Sequence, residues 1–278
     1  MSHDLLHFRV VDIRLINLIF IMATMNHKKG NRMSFEGKKA LVTGASQGIG
    51  RVIAKTLAAE GAEVIVNCAH SPAKAQAVAD EIIAAGGKAS VYVCDVSDEA
   101  AVKQMFAKLS PIHYLVNNAR VDPYFRKPEM SNGDWFSLVM DINLKGAYLC
   151  SMSFFEQAKL LAGSCIVNIS SVRAFTPAEM HMIAYNVSKL GMHGLTRAFA
   201  ANGAPYKIRA NTVCPGMVLT ENMMKRLTPE QAAAEASKIA LGRPAESEEI
   251  AAAVVYALRN EYVTGDTLQV NGGMYYAP

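Results

Sequence analysis

A chain of 278 residues, 51% hydrophobic and 19% charged, can bury a large core and lacks the low hydrophobicity of a disordered protein. Its net charge of +4 is spread without a basic block, so nucleic acid is not expected as a partner, and the Lys and Arg side chains read as solvated surface. The five cysteines (Cys68, Cys94, Cys150, Cys165 and Cys214) have no metal-ligand spacing and sit in or beside apolar segments, which points to buried reduced thiols, no metal site and a cytoplasmic location.

Residues 1–32 do not fit the rest of the chain. Leu15 to Met25 is an apolar run of about eleven residues, too short to span a bilayer, and the segment before it carries Asp4 and Asp12 as well as Arg9 and Arg14. It reads as a non-essential leader upstream of a second start at Met33 rather than a signal or anchor, and neither a membrane association nor a role in the fold is expected of it. The fold is expected in residues 33–278 as one domain.

Ala40-Leu41-Val42 has the composition of a strand buried on both faces, and it stops at Gly44, Gly48 and Gly50. Ile49, Ile53, Ala54 and Leu57 then recur at helical spacing. Strand, glycine turn and helix together make a place for a phosphate, because glycines admit a ligand to the main chain and the new helix presents free N–H groups and its positive dipole end. The spacing Gly-x-x-x-Gly-x-Gly is also that of an ordinary tight turn, so by itself it decides nothing. Val64 to Val66 is a second strand, followed by a helix from Pro72 to Ala85 with Gly86-Gly87 beyond its end. Ser90 to Cys94 is a third strand ended by Asp95, and Ser97 with Asp98 starts a helix whose Val102, Met105, Phe106 and Leu109 share a face. Tyr114 to Val116 is the fourth strand. A long helix is expected over 134–161, then the strand Cys165 to Ile169 ending in Ser170-Ser171, a long helix from about Ala184, and the strand Ile208 to Val213 ending in Cys214-Pro215-Gly216. Met217 to Leu241 is a Met-rich helical excursion that reads as a substrate lid, though Met-rich helices also simply fill cores. A helix over 248–258 and the strand Thr267 to Val270 close the chain.

This alternation is the pattern of a doubly wound α/β fold of Rossmann type: a mostly parallel, seven-stranded sheet with helices on both faces. Ligands of such sheets lie beyond the carboxyl ends of the strands, where Gly44, Asn67, Asp95 and residues 117–119 fall. Tyr185 and Lys189 are one turn apart on one helix face, so the ammonium should stabilise phenolate and turn the tyrosine into a general acid. Such a pair also arises by coincidence, and Ser170-Ser171 alone reads equally well as two caps; it is their common position above one sheet edge that sets them together.

From Phe35 to Gly273 the chain resembles the short-chain dehydrogenase/reductase family, most closely its branch of 3-oxoacyl carrier-protein reductases. Thr43-Gly44-Ala45-Ser46-Gln47-Gly48-Ile49-Gly50 is similar to the family's cofactor turn, Asp95-Val96 to its adenine contact, and Asn117-Asn118-Ala119 to its sheet-stabilising motif. Asn143, Ser171, Tyr185 and Lys189 match its catalytic tetrad, and Pro215-Gly216 with Val218 and Thr220 its nicotinamide-side motif. The resemblance implies an NAD(P)-dependent oxidoreductase that moves a hydride between nicotinamide and a carbonyl or secondary alcohol, such as a 3-oxoacyl thioester or another ketone. It further implies a homo-oligomer, a tetramer or dimer. In these roles Tyr185 donates the proton and Ser171 binds the oxygen, Lys189 lowers the tyrosine pKa and holds the nicotinamide ribose, and Asn143 supports a proton-conducting water. Where NAD-preferring relatives carry an acid this chain has Cys68, flanked by Asn67, His70 and Ser71 as donors and by the charges of Arg51 and Lys74, so NADP is expected over NAD even though Gln47 replaces a basic residue common in NADP users. Arg120 stands where the family usually has Gly; it could reach an acidic substrate, but the stem of an arginine favours solvent. The alternative function is a non-catalytic dinucleotide sensor on the same fold.

Overall fold

The computed structural model describes residues 35–276 apart from 110 and 178; the leader expected over residues 1–32 lies outside them. β1 (Lys39–Val42), β2 (Glu63–Cys68), β3 (Lys88–Val93), β4 (Tyr114–Asn117), β5 (Cys165–Ile169), β6 (Arg209–Pro215) and β7 (Thr267–Val270) form one sheet in the order β3-β2-β1-β4-β5-β6-β7. Every pairing is parallel. The order reverses between β1 and β4, which opens a crevice at their carboxyl ends.

Period-two alternation explains how strands this short hold two layers of helices. Ala40, Val42, Val64, Val66, Val116 and Val167 pack on one face against α1 (Gly48–Ala59), α2 (Pro72–Ala84) and α9 (Ser247–Arg259). Leu41, Ile65, Leu115 and Ile166 pack on the other against α3 (Glu99–Leu109), α5 (Gly146–Ala158) and α6 (Ile183–Gly203). At roughly 25 cal/mol for each Å2 of apolar surface removed from water, these two layers supply the main folding force.

The helix expected over 134–161 is not uniform. α4 (Asn132–Met140) runs into a π turn, Asp141–Lys145, and only then into α5. One extra residue per turn re-aims the side chains beyond it, and apolar periodicity does not reveal it. The excursion after β6 is also more broken than its composition suggests: α7 (Glu221–Met224) and α8 (Pro229–Ala236) are short, and Thr220 and Thr228 cap them.

Between β4, β5 and β6 the core is tied by polar groups. The Asn117 amide donates to Asn168 Oδ1 (2.8 Å) and Ser151 Oγ (2.9 Å), Asn168 donates to Thr196 Oγ1 (2.8 Å), and Thr196 meets the Thr212 hydroxyl (2.7 Å). In a dry interior this ladder fixes strand and helix register, since any slip leaves unpaired polar atoms.

Candidate active site

The glycine turn after β1 is held by both of its neighbours. Thr43 Oγ1 accepts the N–H groups of Asn118 (2.9 Å) and Ala119 (3.0 Å), and the Asn118 amide donates back to the Thr43 (2.9 Å) and Gly44 (3.0 Å) carbonyls. Gly44 has φ +62°, and a Cβ there would stand 2.8 Å from the Ala119 Cα; a Cβ on Gly50 would stand 2.4 Å from the Asn118 amide nitrogen. From the β2 side, Asn67 Oδ1 accepts the Gly44 N–H (3.3 Å) while its amide donates to the Tyr92 (3.2 Å) and Cys94 (3.0 Å) carbonyls. Those bonds occupy the Asn67 donors within the protein, which leaves His70 and Ser71 as the donors of that strand end.

Beyond this turn lies a cavity of about 740 Å3. Gly44, Ser46, Gln47, Gly48, Ile49 and Gly50 line it together with Asn67, Cys68, His70, Asp95, Val96, Asn118 and Ala119, and so do Ser171, Tyr185, Lys189, Pro215, Gly216, Val218 and Thr220. Of the four residues matched to the catalytic tetrad Asn143 alone is absent from the lining, and Arg51, Lys74 and Asn117 also stand outside it. Asn143 is fully buried behind the wall, where the π turn aims its Oδ1 at the Val121 N–H (2.7 Å) and its amide at Ser188 Oγ (3.1 Å). Asn143 therefore ties the loop after β4 to the helix that carries Tyr185 and Lys189.

The cradle fits a dinucleotide. Gly48 (φ +55°) has nothing within 4 Å of where a Cβ would be, no side chain caps the start of α1, and no acidic residue stands in its first turn. Free N–H groups and open space at a helix N-terminus are what a pyrophosphate needs. No carboxylate stands at the end of β2, where Lys74 Nζ instead donates to Gln47 Oε1 (3.2 Å) at the mouth. Asp95 uses one carboxylate oxygen to accept from Ser97 N (2.9 Å) and Oγ (2.7 Å).

Tyr185 and Lys189 both lie on the buried face of α6, and the Lys189 Nζ sits 5.7 Å from the Tyr185 ring centre. Lys189 donates to the Ile169 carbonyl at 2.7 Å. Burial dominates both groups. It pushes the lysine down to about 7, with the Arg120 charge adding to the effect, and it pushes the Tyr185 phenol up, opposed by Arg120 and by hydrogen bonding from Ser171. Within the chain itself the tyrosine is thus not depressed as the Tyr-x-x-x-Lys spacing suggests, because desolvation of the phenolate outweighs the Arg120 charge and the Ser171 hydrogen bond. Behind the pair, Ser170 Oγ donates to the Lys189 carbonyl (2.9 Å) and meets His193 Nε2 (2.8 Å), while His193 Nδ1 meets Thr267 Oγ1 (3.0 Å). Burial lowers His193 to about 4, so it is a neutral hinge of this network. His193 escaped the sequence reading, although its place one turn after Lys189 on the same helix face was a usable signal.

Sequence comparisons agree with this geometry. A family model described as enoyl-(acyl carrier protein) reductase matches residues 44–275. The 3-oxoacyl-[acyl-carrier-protein] reductase FabG of Escherichia coli is 36% identical over 246 residues, covering 87% of this chain and 99% of its own. The chain belongs to the short-chain dehydrogenase/reductase family. Among solved structures, a short-chain dehydrogenase/reductase from Serratia marcescens superposes with a TM-score of 0.78 at 33% identity, covering 86% of this chain and 98% of its own. A short chain dehydrogenase from Burkholderia cenocepacia in complex with NADP gives a TM-score of 0.78 at 30% identity, covering 88% and 99%. Members of the short-chain dehydrogenase/reductase family are oxidoreductases that use a nicotinamide cofactor, and they act on small molecules. No helix among the described residues is long and apolar enough to cross a membrane, and no group of His, Cys, Asp and Glu among them is arranged to hold a metal ion.

The buried lysine makes stability depend on pH. With a folded-state pKa of about 7 against an ordinary 10.5, Lys189 binds fewer protons folded than unfolded between those values, so its penalty is full below pH 7 and fades as pH rises to 10.5. The melting-temperature difference between Lys189→Met and wild type is therefore expected to be larger by roughly 10 °C at pH 6 than at pH 10. A difference that stays constant across this range would contradict the burial account.

Proposed function

We propose that this enzyme is an NADP-preferring carbonyl reductase or alcohol dehydrogenase. The observation that carries the reading is that Ser171, Tyr185 and Lys189 line the same cavity as an uncapped glycine cradle. When bound, NADPH supplies the hydride. Residues 44–50 would hold its pyrophosphate, Cys68, His70 and Ser71 its adenosine ribose phosphate, Asp95 and Val96 its adenine, and Lys189 with Pro215, Gly216, Val218 and Thr220 its nicotinamide end. The Ser171 hydroxyl donates to the carbonyl oxygen of the substrate and so orients it. Tyr185 then releases its proton to that oxygen as negative charge develops, and the buried Lys189 and its neighbours stabilise the phenolate left behind. Asn143 keeps the π turn in place so that a proton path to Lys189 stays open.

Residues 217–241 act as a lid in this reading, since Met223, Arg226 and Leu227 face the cavity from it. Five free, buried cysteines suit a reducing cytoplasm. A homo-oligomer is supported by an exposed apolar stripe: Tyr148 and Met152 on α5, and Ile183, Val187 and Leu190 at helical spacing on α6. The substrate is a ketone or aldehyde, with 3-oxoacyl thioesters among the candidates on account of the FabG relative.

Removing the proton donor should separate chemistry from binding. Tyr185→Phe is expected to lower kcat by about a thousandfold with the NADPH Kd, read by nicotinamide fluorescence, changed less than a few-fold; turnover close to wild type would refute the role. For the cofactor, KM should be lower for NADPH than for NADH, and Cys68→Asp should reverse the order, because a carboxylate at the end of β2 pairs with the ribose hydroxyls and repels a 2′-phosphate. Steady-state kinetics showing better use of NADH by the wild type, or no reversal in the variant, would overturn the preference.

A further inference from the structure

Arg120 keeps about a third of its side chain in solvent, 36% exposed, and reaches the cavity as well. Its Nη1 lies 3.2 Å from Asp122 Oδ2. The other carboxylate oxygen of Asp122 faces Arg226 Nη1 at 3.6 Å, so one aspartate, its side chain only 11% exposed, is shared by two guanidinium groups. Those two arginines belong to different parts of the molecule. Arg120 is on the loop after β4, and Arg226 follows α7 in the excursion that crosses the cavity. The Arg226 guanidinium also stacks over the Tyr124 ring at 3.7 Å, which adds a cation–π contact to the same junction. A second tie holds the start of the excursion: Glu221 Oε1 meets Arg51 Nη1 of α1 at 3.3 Å.

We infer that Asp122 is a clasp which, by adding Arg226 to its standing pair with Arg120, couples closure of residues 217–241 to the charge that faces the hydroxyl of Tyr185. This inference rests on the reductase reading and on the excursion acting as a lid. With the lid away, Asp122 neutralises Arg120. With the lid down, Arg226 joins them and the trio carries one net positive charge beside the tyrosine. A positive charge favours phenolate, so the proton of Tyr185 becomes easier to give once the cavity is closed.

The surroundings of the phenol make this charge count. Facing Tyr185 are Arg120 and Asp122 from the loop after β4, Ser171 from the end of β5, the Cys214 thiol of β6, which burial pushes up to about 12, and Lys189 on its own helix. Arg120 is the charge that most opposes the burial of the phenol, and Asp122 acts in the opposite sense. His181, paired with Glu179 at 3.5 Å, packs its ring 5.4 Å from Tyr124 and so reaches the junction only through that ring. Arg120 and Asp122 are thus positioning residues for the proton donor, and Arg226 extends their reach to the lid.

The clasp can be tested without turnover. Full-length protein labelled with 13Cζ-tyrosine is titrated in the presence of NADP, and the Tyr185 signal is assigned by its loss in Tyr185→Phe. Arg226→Gln is expected to raise the titration midpoint of Tyr185 by about half a pH unit, a size suited to one charge in a partly solvated site, and Arg226→Lys to restore it. Asp122→Asn should move the midpoint the other way, downward, which a merely loosened loop would not do. Equal phenolate fractions at pH 10 in wild type, Arg226→Gln and Asp122→Asn, or shifts of the same sign in both variants, would overturn the inference. Failure to reduce any carbonyl would count against the reductase reading but leave this titration, and what it says of the clasp, intact.

Discussion

The close approach of two loops decides where everything else can go. Between Gly44 and Ala119, and between Gly50 and the Asn118 amide, there is no room for a single methyl group. The turn after β1 and the loop after β4 are therefore locked together at the point where the strand order of the sheet reverses. The lock has an energetic as well as a steric side: four hydrogen bonds among Thr43, Gly44, Asn118 and Ala119 close it, each worth about 1 kcal/mol and far more costly to leave unmade in a buried site. Because the loops meet low, the space above them stays open, and the start of α1 faces into it with its N–H groups uncapped.

From that crevice the proposed catalytic groups inherit their environment. Tyr185 and Lys189 are supplied by a helix whose other polar contacts, Ser170, Ser188 and His193, are all satisfied inside the protein. The pair is buried, and burying it is costly. A lysine held near neutrality and a phenol held protonated are what burial enforces on these two groups, and the neighbouring Arg120 and Ser171 offset part of the cost on the tyrosine.

Much of this was legible in the residues because the physics is local. Short apolar runs ended by glycine or asparagine mark the carboxyl ends of β1, β2 and β4, and Thr267 to Val270 needed no correction at either end. Five ordered motifs located the cavity lining, since strand ends in a doubly wound sheet all point one way. What escaped depends on geometry that spacing does not encode. The π turn at Asp141–Lys145 leaves apolar periodicity nearly intact while it rotates Asn143 into the wall. The orientation of Arg120 depends on a partner two residues away and on Arg226 more than a hundred residues later, a pairing that only the folded excursion creates. The tyrosine pKa depends on how dry the site is, and a Tyr-x-x-x-Lys spacing says nothing about that.

The central claim is that this cavity carries a hydride from nicotinamide to a carbonyl carbon while Tyr185 supplies the proton. The most direct measurement uses NADPH deuterated at the transferable position of the nicotinamide, incubated with the wild-type enzyme and a panel of ketones and 3-oxoacyl thioesters, with the alcohol products analysed by mass spectrometry and NMR. The account predicts one deuterium on the carbinol carbon of at least one product, delivered from a single face of the nicotinamide, and transfer about a thousandfold slower when Tyr185 is replaced by phenylalanine. Tight binding of the cofactor with no deuterium transferred to any carbonyl would contradict it and favour a protein that senses the dinucleotide rather than spends it.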